Sequence, residues 1–156
     1  MIKLYKRIDG VFRYHEAFEE NGSITDHWGI VGERGESRQH KIPKRLSEEA
    51  ALLGVLQAAI DTGYAPLDED ALTILLIEYQ VDEMGSPQDL DKRHALEDRM
   101  NETLGWTGLG HCDGGSIGSG SMEVCCLVVD ATIAARVIAD DLKGTEFSGY
   151  SRIYEE

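Results

Sequence analysis

A glycine-rich segment matches the sequence motif that surrounds the nucleophilic serine of many hydrolases. Gly114-Gly115-Ser116-Ile117-Gly118 fits Gly-x-Ser-x-Gly, in which the serine needs a strand before it and a helix after it. Here the apolar alternation of residues 122 to 129 predicts a returning strand, so residues 113 to 120 are expected to form a hairpin turn. The segment also lacks the Gly-Lys-Ser/Thr ending of a phosphate-binding loop. A hydrolase that uses Ser116 is therefore the last of three functional hypotheses.

A second set of residues could ligate zinc: His111, Cys112, Cys125 and Cys126. Neighbours on a strand point to opposite faces, so each adjacent pair offers one ligand to a given face, whereas structural zinc needs about four. Three cysteines also predict no disulfide framework, and they favour a reducing compartment such as the cytoplasm. We expect ordinary buried thiols, no metal and no other cofactor.

Acidic residues cluster before and within the first predicted helix of the second half of the chain. Asp82, Glu83, Asp89 and Asp91 lack the ligand spacing and the central glycine of a calcium loop. His94 lies among these charges, but nothing nearby identifies a proton that it would transfer. The sequence thus predicts a solvated acidic surface and no catalytic apparatus.

The distribution of charge along the chain supports that interpretation. Residues 1 to 66 carry 9 Lys and Arg against 10 Asp and Glu, whereas residues 67 to 156 carry 6 against 19, within a total net charge of −14. Such an acidic surface repels nucleic acid and anionic lipid and attracts a basic partner. No apolar run approaches the roughly 20 residues that cross a membrane. We expect a cytoplasmic protein without a membrane segment.

The first half predicts four antiparallel strands and one helix. Asp9-Gly10 and Asn21-Gly22 favour tight hairpin turns between alternating segments. Phe12, Tyr14 and Phe18 share one parity and are expected to face the interior. A helix that Ser47 caps is expected to lie on the sheet and to end at Gly63.

The second half has the element order β-α-β-β-α-β, which is the ferredoxin-like pattern with both helices on one face of an antiparallel sheet. Ser86-Pro87 supplies an N-cap and a first-turn proline for the first helix, and Asp130 caps the second. The predicted fold class is therefore α+β, with a first domain over residues 1 to 66 and an acidic ferredoxin-like domain over residues 67 to 156.

A fingerprint in the first half carries a family resemblance. His27-Trp28-Gly29-Ile30-Val31-Gly32-Glu33-Arg34-Gly35 fits Trp-Gly-x-Val-Gly-x-x-Gly, and Thr62-Gly63-Tyr64 matches the usual ending. With four strands and a C-terminal helix, residues 1 to 66 resemble a WGR domain, although Ile30 replaces the arginine that names the family. The resemblance implies contact with nucleic acid. Five basic residues could provide it: Arg34, Arg38, Lys41, Lys44 and Arg45. Trp28 is expected to be a core anchor.

The sequence leaves three functional hypotheses. The first is a non-enzymatic protein-binding module that uses Asp82, Glu83, Asp89 and Asp91 to engage a partner protein of basic charge, by analogy with immunity proteins that neutralise bacterial toxins. The second is a nucleic-acid-associated WGR-like protein, which the acidic charge disfavours. The third is the Ser116 hydrolase. A homodimer through a free sheet edge is a further alternative.

Overall fold

A computed structural model describes all residues from 1 to 156. The chain divides into two compact units, Met1–Glu69 and Asp70–Glu156. Each unit contains one four-stranded sheet, and the α+β class predicted from the sequence is confirmed. None of the helices combines the length and the apolar character needed to span a membrane.

The first unit is a meander followed by one helix. Strands β1 (Ile2–Ile8), β2 (Val11–Glu20), β3 (Ser23–Ile30) and β4 (Glu36–Lys41) are antiparallel neighbours in chain order. Helix α1 (Glu48–Asp61) follows, and the Ser47 side chain accepts a hydrogen bond from the Ala50 amide at 3.2 Å. The carboxylates of Glu48 and Glu49 lie in the first turn of α1, where their negative charge interacts favourably with the positive end of the helix dipole.

The helix packs on the face of the sheet that the sequence pattern did not select. Leu4, Ala17 and Ile24 form the core with apolar residues of α1, among them Leu52 and Leu56. Residues of β2 that share a parity with Ala17 therefore face the helix, whereas Tyr14 lies on the opposite face. Tyr14 is buried, as predicted for an interior residue, but on the sheet face away from α1, and Phe12 and Phe18 on that face are half-buried. Small Ala17 leaves room for the helix, which a parity argument from large residues does not detect.

The second unit has the predicted element order. It contains β5 (Thr73–Gln80), α2 (Pro87–Gly105), β6 (Gly110–Gly118), β7 (Ser121–Val128), α3 (Ala131–Leu142) and β8 (Arg152–Glu155). The antiparallel sheet has the order β6-β7-β5-β8, so β7 lies between β6 and β5, as the split-βαβ arrangement requires. The core of this unit consists of buried side chains of β5 and β7, Leu96 and Met100 of α2, and Ile138 of α3.

The glycine-rich segment is strand rather than turn. Strand β6 continues to Gly118, and the turn consists only of Ser119 and Gly120, both with positive φ. A register shift lies between Cys112 and Gly115, where two residues of β6 oppose one residue of β7. Gly114 lies in this bulge with a φ of 92°. The predicted turn over residues 113 to 120 is therefore wrong, because the glycines provide a bulge within a strand.

Two glycines of the first unit are in close contact where the chain leaves β3. A Cβ built on Gly29 would lie 2.8 Å from the Gly35 Cα and 2.9 Å from the Tyr14 hydroxyl. A Cβ on Gly35 would lie 2.1 Å from the Trp28 carbonyl oxygen, and the φ of Gly35 is +65°. No side chain fits between these backbones, so the loop after β3 can close only with glycine at both positions.

We predict that Gly35→Ala destabilises the first unit far more than Gly22→Ala. Gly22 has a similar φ of +77° but no atom within 4 Å of a built Cβ, so its replacement costs only about 1–2 kcal/mol for the left-handed backbone. Gly35→Ala adds about 1–3 kcal/mol for overpacking. Urea unfolding would be followed by Trp28 fluorescence in a Trp106→Phe background, since the chain has two tryptophans. Equal losses for both variants would contradict the close packing of this loop.

Candidate functional site

The acids singled out from the sequence lie on a loop and on the helix that follows it. The loop joins β5 to α2, and Asp82, Glu83 and Asp91 are exposed. The ion pairs of this unit join Arg93 to Glu97, Arg99 to Asp141 and Arg152 to Glu78. The carboxylates of Asp82, Glu83 and Asp91 consequently have no cationic partner within their own unit.

Backbone hydrogen bonds hold this loop in one conformation. The Gly120 amide donates to the Glu83 carbonyl at 2.7 Å, the Val81 amide donates to the Gly120 carbonyl at 3.0 Å, and the Gly85 amide donates to the Asp82 carbonyl at 2.7 Å. Glu83 has a φ of 43°, in the left-handed region that disfavours side chains. The β6–β7 turn therefore fixes the direction in which the loop presents its side chains.

Asp89 has a different role from the other acids. Its Oδ2 accepts hydrogen bonds from the Ser86 amide at 2.8 Å and from the Ser86 hydroxyl at 2.7 Å, while the Asp89 amide donates to Ser86 Oγ at 3.1 Å. This is a capping box, and the hydrogen bonds from Ser86 hold the pKa of Asp89 below its usual value. Asp89 is thus engaged in starting α2, and the structure separates it from the three unpaired acids.

Two apolar side chains lie among these acids, and the sequence analysis did not single them out. Met84 is 74% exposed and Leu90 is 42% exposed. Met84 lies between Glu83 and Gly85 in the sequence of the loop. A Cβ on Gly85 would lie 2.5 Å from Cγ2 of Ile117, so the loop packs closely on β6 at this point. The sequence feature that could have identified Met84 is its position in a polar turn, outside any helical or strand periodicity of apolar residues. We define residues 82–91 as the acidic patch.

The five basic residues proposed for nucleic-acid contact do not share one face. Arg38 and Lys41 are three positions apart on β4, so their side chains lie on opposite faces of the sheet. The Arg38 guanidinium donates to Asp26 Oδ2 at 3.1 Å and lies 5.5 Å from the Trp28 ring centroid. The whole set is exposed: Arg34, Arg38, Lys41, Lys44 and Arg45.

Trp28 belongs to a polar cluster and not to the core. It is half-buried, and its ring centroid lies 5.7 Å from that of His15. The prediction that Trp28 anchors the core is therefore wrong. The β3 side chain that lies in the core is Ile24, which belongs to the same cluster as Leu52 and Leu56 of α1.

Asp26 is the centre of the polar cluster on the helix-facing side of the sheet. Asp26 is 2% exposed, and its Oδ1 lies 2.6 Å from His15 Nε2. Its Oδ2 lies 3.1 Å from the Arg38 guanidinium and 3.3 Å from His40 Nε2. Burial alone would raise the pKa of Asp26, but the hydrogen bonds from these three basic groups outweigh burial and lower it. Asp26 is thus a buried carboxylate whose charge is satisfied by its own unit.

A second buried cluster lies on the opposite face. His27 is 1% exposed, its Nδ1 lies 2.7 Å from Glu16 Oε1, and its Nε2 lies 2.5 Å from the Arg34 carbonyl oxygen. Both ring nitrogens face acceptors, which fits a protonated imidazolium. Burial opposes this charge, but Glu16 and the Arg34 carbonyl outweigh burial and raise the pKa of His27. Lys3 Nζ adds an ion pair to Glu16 Oε2 at 3.1 Å.

Tyr14 completes this cluster and ties it to the loop after β3. Its hydroxyl donates to the Glu33 carbonyl at 2.8 Å and lies 3.1 Å from His27 Nε2. The grouping of tyrosine, histidine and glutamate is similar in composition to catalytic triads. Here, however, the histidine is inaccessible and both of its nitrogens are bound inside the fold. The arrangement can hold a proton and anchor a loop, but it presents no reactive atom to a substrate.

The remaining candidates from the sequence lie on different elements of the second unit, Ser116 on β6 and His94 on α2. Ser116 is exposed on β6 opposite Glu123, so it is followed by strand and not by the helix that a nucleophile elbow requires. Glu123 Oε1 accepts a hydrogen bond from the Tyr154 hydroxyl at 2.5 Å. His94 lies beside the Arg93 guanidinium, 3.2 Å from its NH2.

The proposed zinc ligands divide between the two faces of that sheet. Cys112 pairs with Cys126, and His111 pairs with Leu127, so His111 and Cys125 lie on the face opposite to the two paired thiols. No group of three or more His, Cys, Asp or Glu side chains is arranged to hold a metal ion. The direct cross-strand pairing of Cys112 with Cys126 is a feature that sequence reasoning missed.

Comparisons with protein-family models, with curated proteins and with solved structures found no match to this chain. The assignment of function consequently depends on the geometry described above.

We predict that the stability of the first unit falls as pH rises through the folded-state pKa of His27. A raised folded pKa means that the stabilisation is fully present below about pH 6.5, the unfolded value, and is lost as the folded histidine deprotonates. Each unit of pKa difference corresponds to about 1.4 kcal/mol. Urea unfolding between pH 6 and pH 9, followed by Trp28 fluorescence in the Trp106→Phe background, measures this loss.

Glu16→Gln is the matched variant, because it keeps the size of the side chain and removes the charge that stabilises the imidazolium. The pH dependence should become shallower in this variant. If wild type and variant show parallel curves over this range, the Glu16–His27 pair is not the origin of the effect.

Proposed function

We propose that this protein is a non-catalytic binding protein whose acidic patch engages a basic partner protein, in the manner of an inhibitor. One observation carries the proposal: exposed Met84 belongs to the same short segment, residues 82–91, as three carboxylates that form no ion pair in their own unit. Methionine is enriched in protein interfaces, and the rim around their apolar centre is polar. The expected partner carries Lys or Arg residues around a small apolar pocket.

The energetics of the loop support binding rather than a purely structural role. A loop that is already ordered loses little conformational entropy when a partner binds. Glu83 keeps a left-handed backbone that glycine would adopt at lower cost, and a strained residue at an exposed position is a feature of functional surfaces. Unpaired carboxylates also accelerate encounter with a basic protein through long-range attraction.

The first unit supports the same proposal as a scaffold. We infer that it is a WGR-like module, because the glycines of the fingerprint occupy the close contact between Gly29 and Gly35. Its buried charges are consumed by internal pairs, and Arg38 is engaged by Asp26. These contacts favour a structural role for this module in the present chain over nucleic-acid binding.

We predict that Asp82→Asn/Glu83→Gln/Asp91→Asn weakens partner binding about tenfold or more, which corresponds to about 1.4 kcal/mol. Asp89 is left unchanged because its removal would damage the start of α2. The matched control is Asp68→Asn/Glu69→Gln/Asp70→Asn, which removes the same charge from exposed positions outside the patch. A partner captured from lysate by the immobilised wild-type chain would be identified and purified, and its affinity for each variant measured by calorimetry.

Met84→Ala tests the apolar part of the patch separately. Truncation of a hot-spot side chain costs more than about 1 kcal/mol of binding energy, so affinity should fall at least several-fold at high salt, where charge attraction is screened. Equal losses in the patch variant and in the control triple variant would show that only overall charge matters. Unchanged affinity for both the patch triple and Met84→Ala would place the partner elsewhere.

A further inference from the structure

The bulge in β6 brings two thiols into register. From the β6–β7 turn, Ser116 pairs with Glu123 and Gly115 pairs with Val124, and this register would place Cys112 opposite Leu127. The shift between Cys112 and Gly115 moves the pairing by one residue, so Cys112 lies opposite Cys126 instead. Without the bulge the two sulfur atoms would point to opposite faces of the sheet.

The direct pairing of Cys112 with Cys126 is compatible with a cross-strand disulfide. Directly opposed residues of antiparallel strands have Cα atoms roughly 4.5–5.5 Å apart, within the range of about 4.4–6.8 Å that disulfides need. Both cysteines are free thiols in this structure; Cys126 is fully buried and Cys112 is half-buried. Cys112 is therefore the sulfur that solvent reaches, and Cys126 lies behind it in the core.

The two thiols also differ in acidity. A hydrogen bond from Cys126 lowers the pKa of Cys112, against the opposing effects of burial and of the nearby carboxylates of Glu97 and Asp113. The same hydrogen bond, together with burial, raises the pKa of Cys126. Burial and Asp113 raise the pKa of Cys125, which lies on the other face. The hydrogen bond between the two thiols thus favours Cys112 as the one that ionises, and the thiolate is the nucleophile.

We propose that Cys112 and Cys126 form a reversible redox site, in which a hydroperoxide oxidises Cys112 and Cys126 resolves the product as an intramolecular disulfide. The Cys112 thiolate attacks one oxygen of the peroxide; the O–O bond breaks, and the leaving oxygen takes up a proton. Cys112 is then a sulfenic acid. The Cys126 sulfur attacks the Cys112 sulfur, the S–S bond forms, the S–O bond breaks, and the hydroxide leaves as water with the Cys126 proton.

The electrons and atoms balance in this sequence. The two thiols lose two electrons and two protons, and hydrogen peroxide is reduced to two molecules of water. A dithiol returns the site to its starting state by thiol–disulfide exchange. The disulfide would join edge strand β6 covalently to β7, the strand that carries Cys126 in the core. This site is independent of the acidic patch, so the test of one does not decide the other.

The test uses the full chain and hydrogen peroxide as the oxidant. After oxidation the protein is denatured, free thiols are alkylated with N-ethylmaleimide, and the mass and peptide map are recorded. The wild-type chain, with three cysteines, should take up one alkyl group instead of three, lose the mass of two hydrogens and yield one cross-linked peptide that joins residues 112 and 126. Dithiothreitol should restore three alkylation sites.

Two variants complete the experiment. Cys125→Ser is the matched control and should still form the disulfide, leaving no thiol to alkylate. Cys112→Ser removes a half-buried residue, and both of its remaining thiols should stay reduced under the same treatment. Because a variant at buried Cys126 is prone to unfolding, the decision rests on the wild-type peptide map. Sulfinic acid at Cys112, or a cross-link that uses Cys125, would overturn the proposal.

A kinetic measurement on native protein gives an independent check. Iodoacetamide should modify Cys112 at least several-fold faster than Cys125 at neutral pH, because the thiolate is the nucleophile and Cys112 has the lower pKa. Faster modification of Cys125 would contradict the assignment of Cys112 as the attacking thiol.

Discussion

Cross-strand register is the constraint on which both units depend. In the first unit, the four residues of the two turns, Asp9-Gly10 and Asn21-Gly22, all have positive φ. This conformation is typical of the two-residue hairpin turn whose twist matches that of the flanking strands. These turns place Lys3 opposite Glu16 and Glu16 opposite His27, so one row of the sheet reads cation, anion, cation. A slip of one residue would break this row and move its members to opposite faces. Burial of these charges is tolerated only because the turns pair them.

In the second unit, register is changed inside a strand instead of at its end. The Ser119-Gly120 turn sets one pairing and the bulge that contains Gly114 sets another, one residue away. The turn-proximal part of the ladder lies beside the loop of the acidic patch, since Gly120 bonds to Glu83. The turn-distal part pairs the two thiols. One hairpin thus supports two separate features, and a bulge is the usual way in which a strand redirects a side chain.

Much of this architecture could be predicted from the sequence, and what could not has identifiable causes. Turn dipeptides, caps such as Ser47 and Ser86, and apolar periodicity predicted the element order of both units, because each is a local signal. The helix-facing side of the first sheet was not predicted: small Ala17 decides it, and large Tyr14 is buried with polar partners on the other face. The bulge was not predicted, since glycine indicates turns and bulges equally. The pairing of Glu16 with His27 could have been found by counting back from Asn21-Gly22.

The two units contain their charged residues in different environments. In the first unit, Glu16 and Asp26 are almost fully buried and are satisfied by lysine, arginine and histidine side chains of the same unit. These charges are therefore paired within the folded unit. In the second unit, Asp89 alone among the acids of the patch caps a helix. Asp82 and Glu83 are exposed on a loop that backbone hydrogen bonds hold in place, and Asp91 is exposed on α2. Solvated, unpaired carboxylates contribute little to stability, so folding does not account for their clustering, and this is consistent with the proposed binding of a cationic surface.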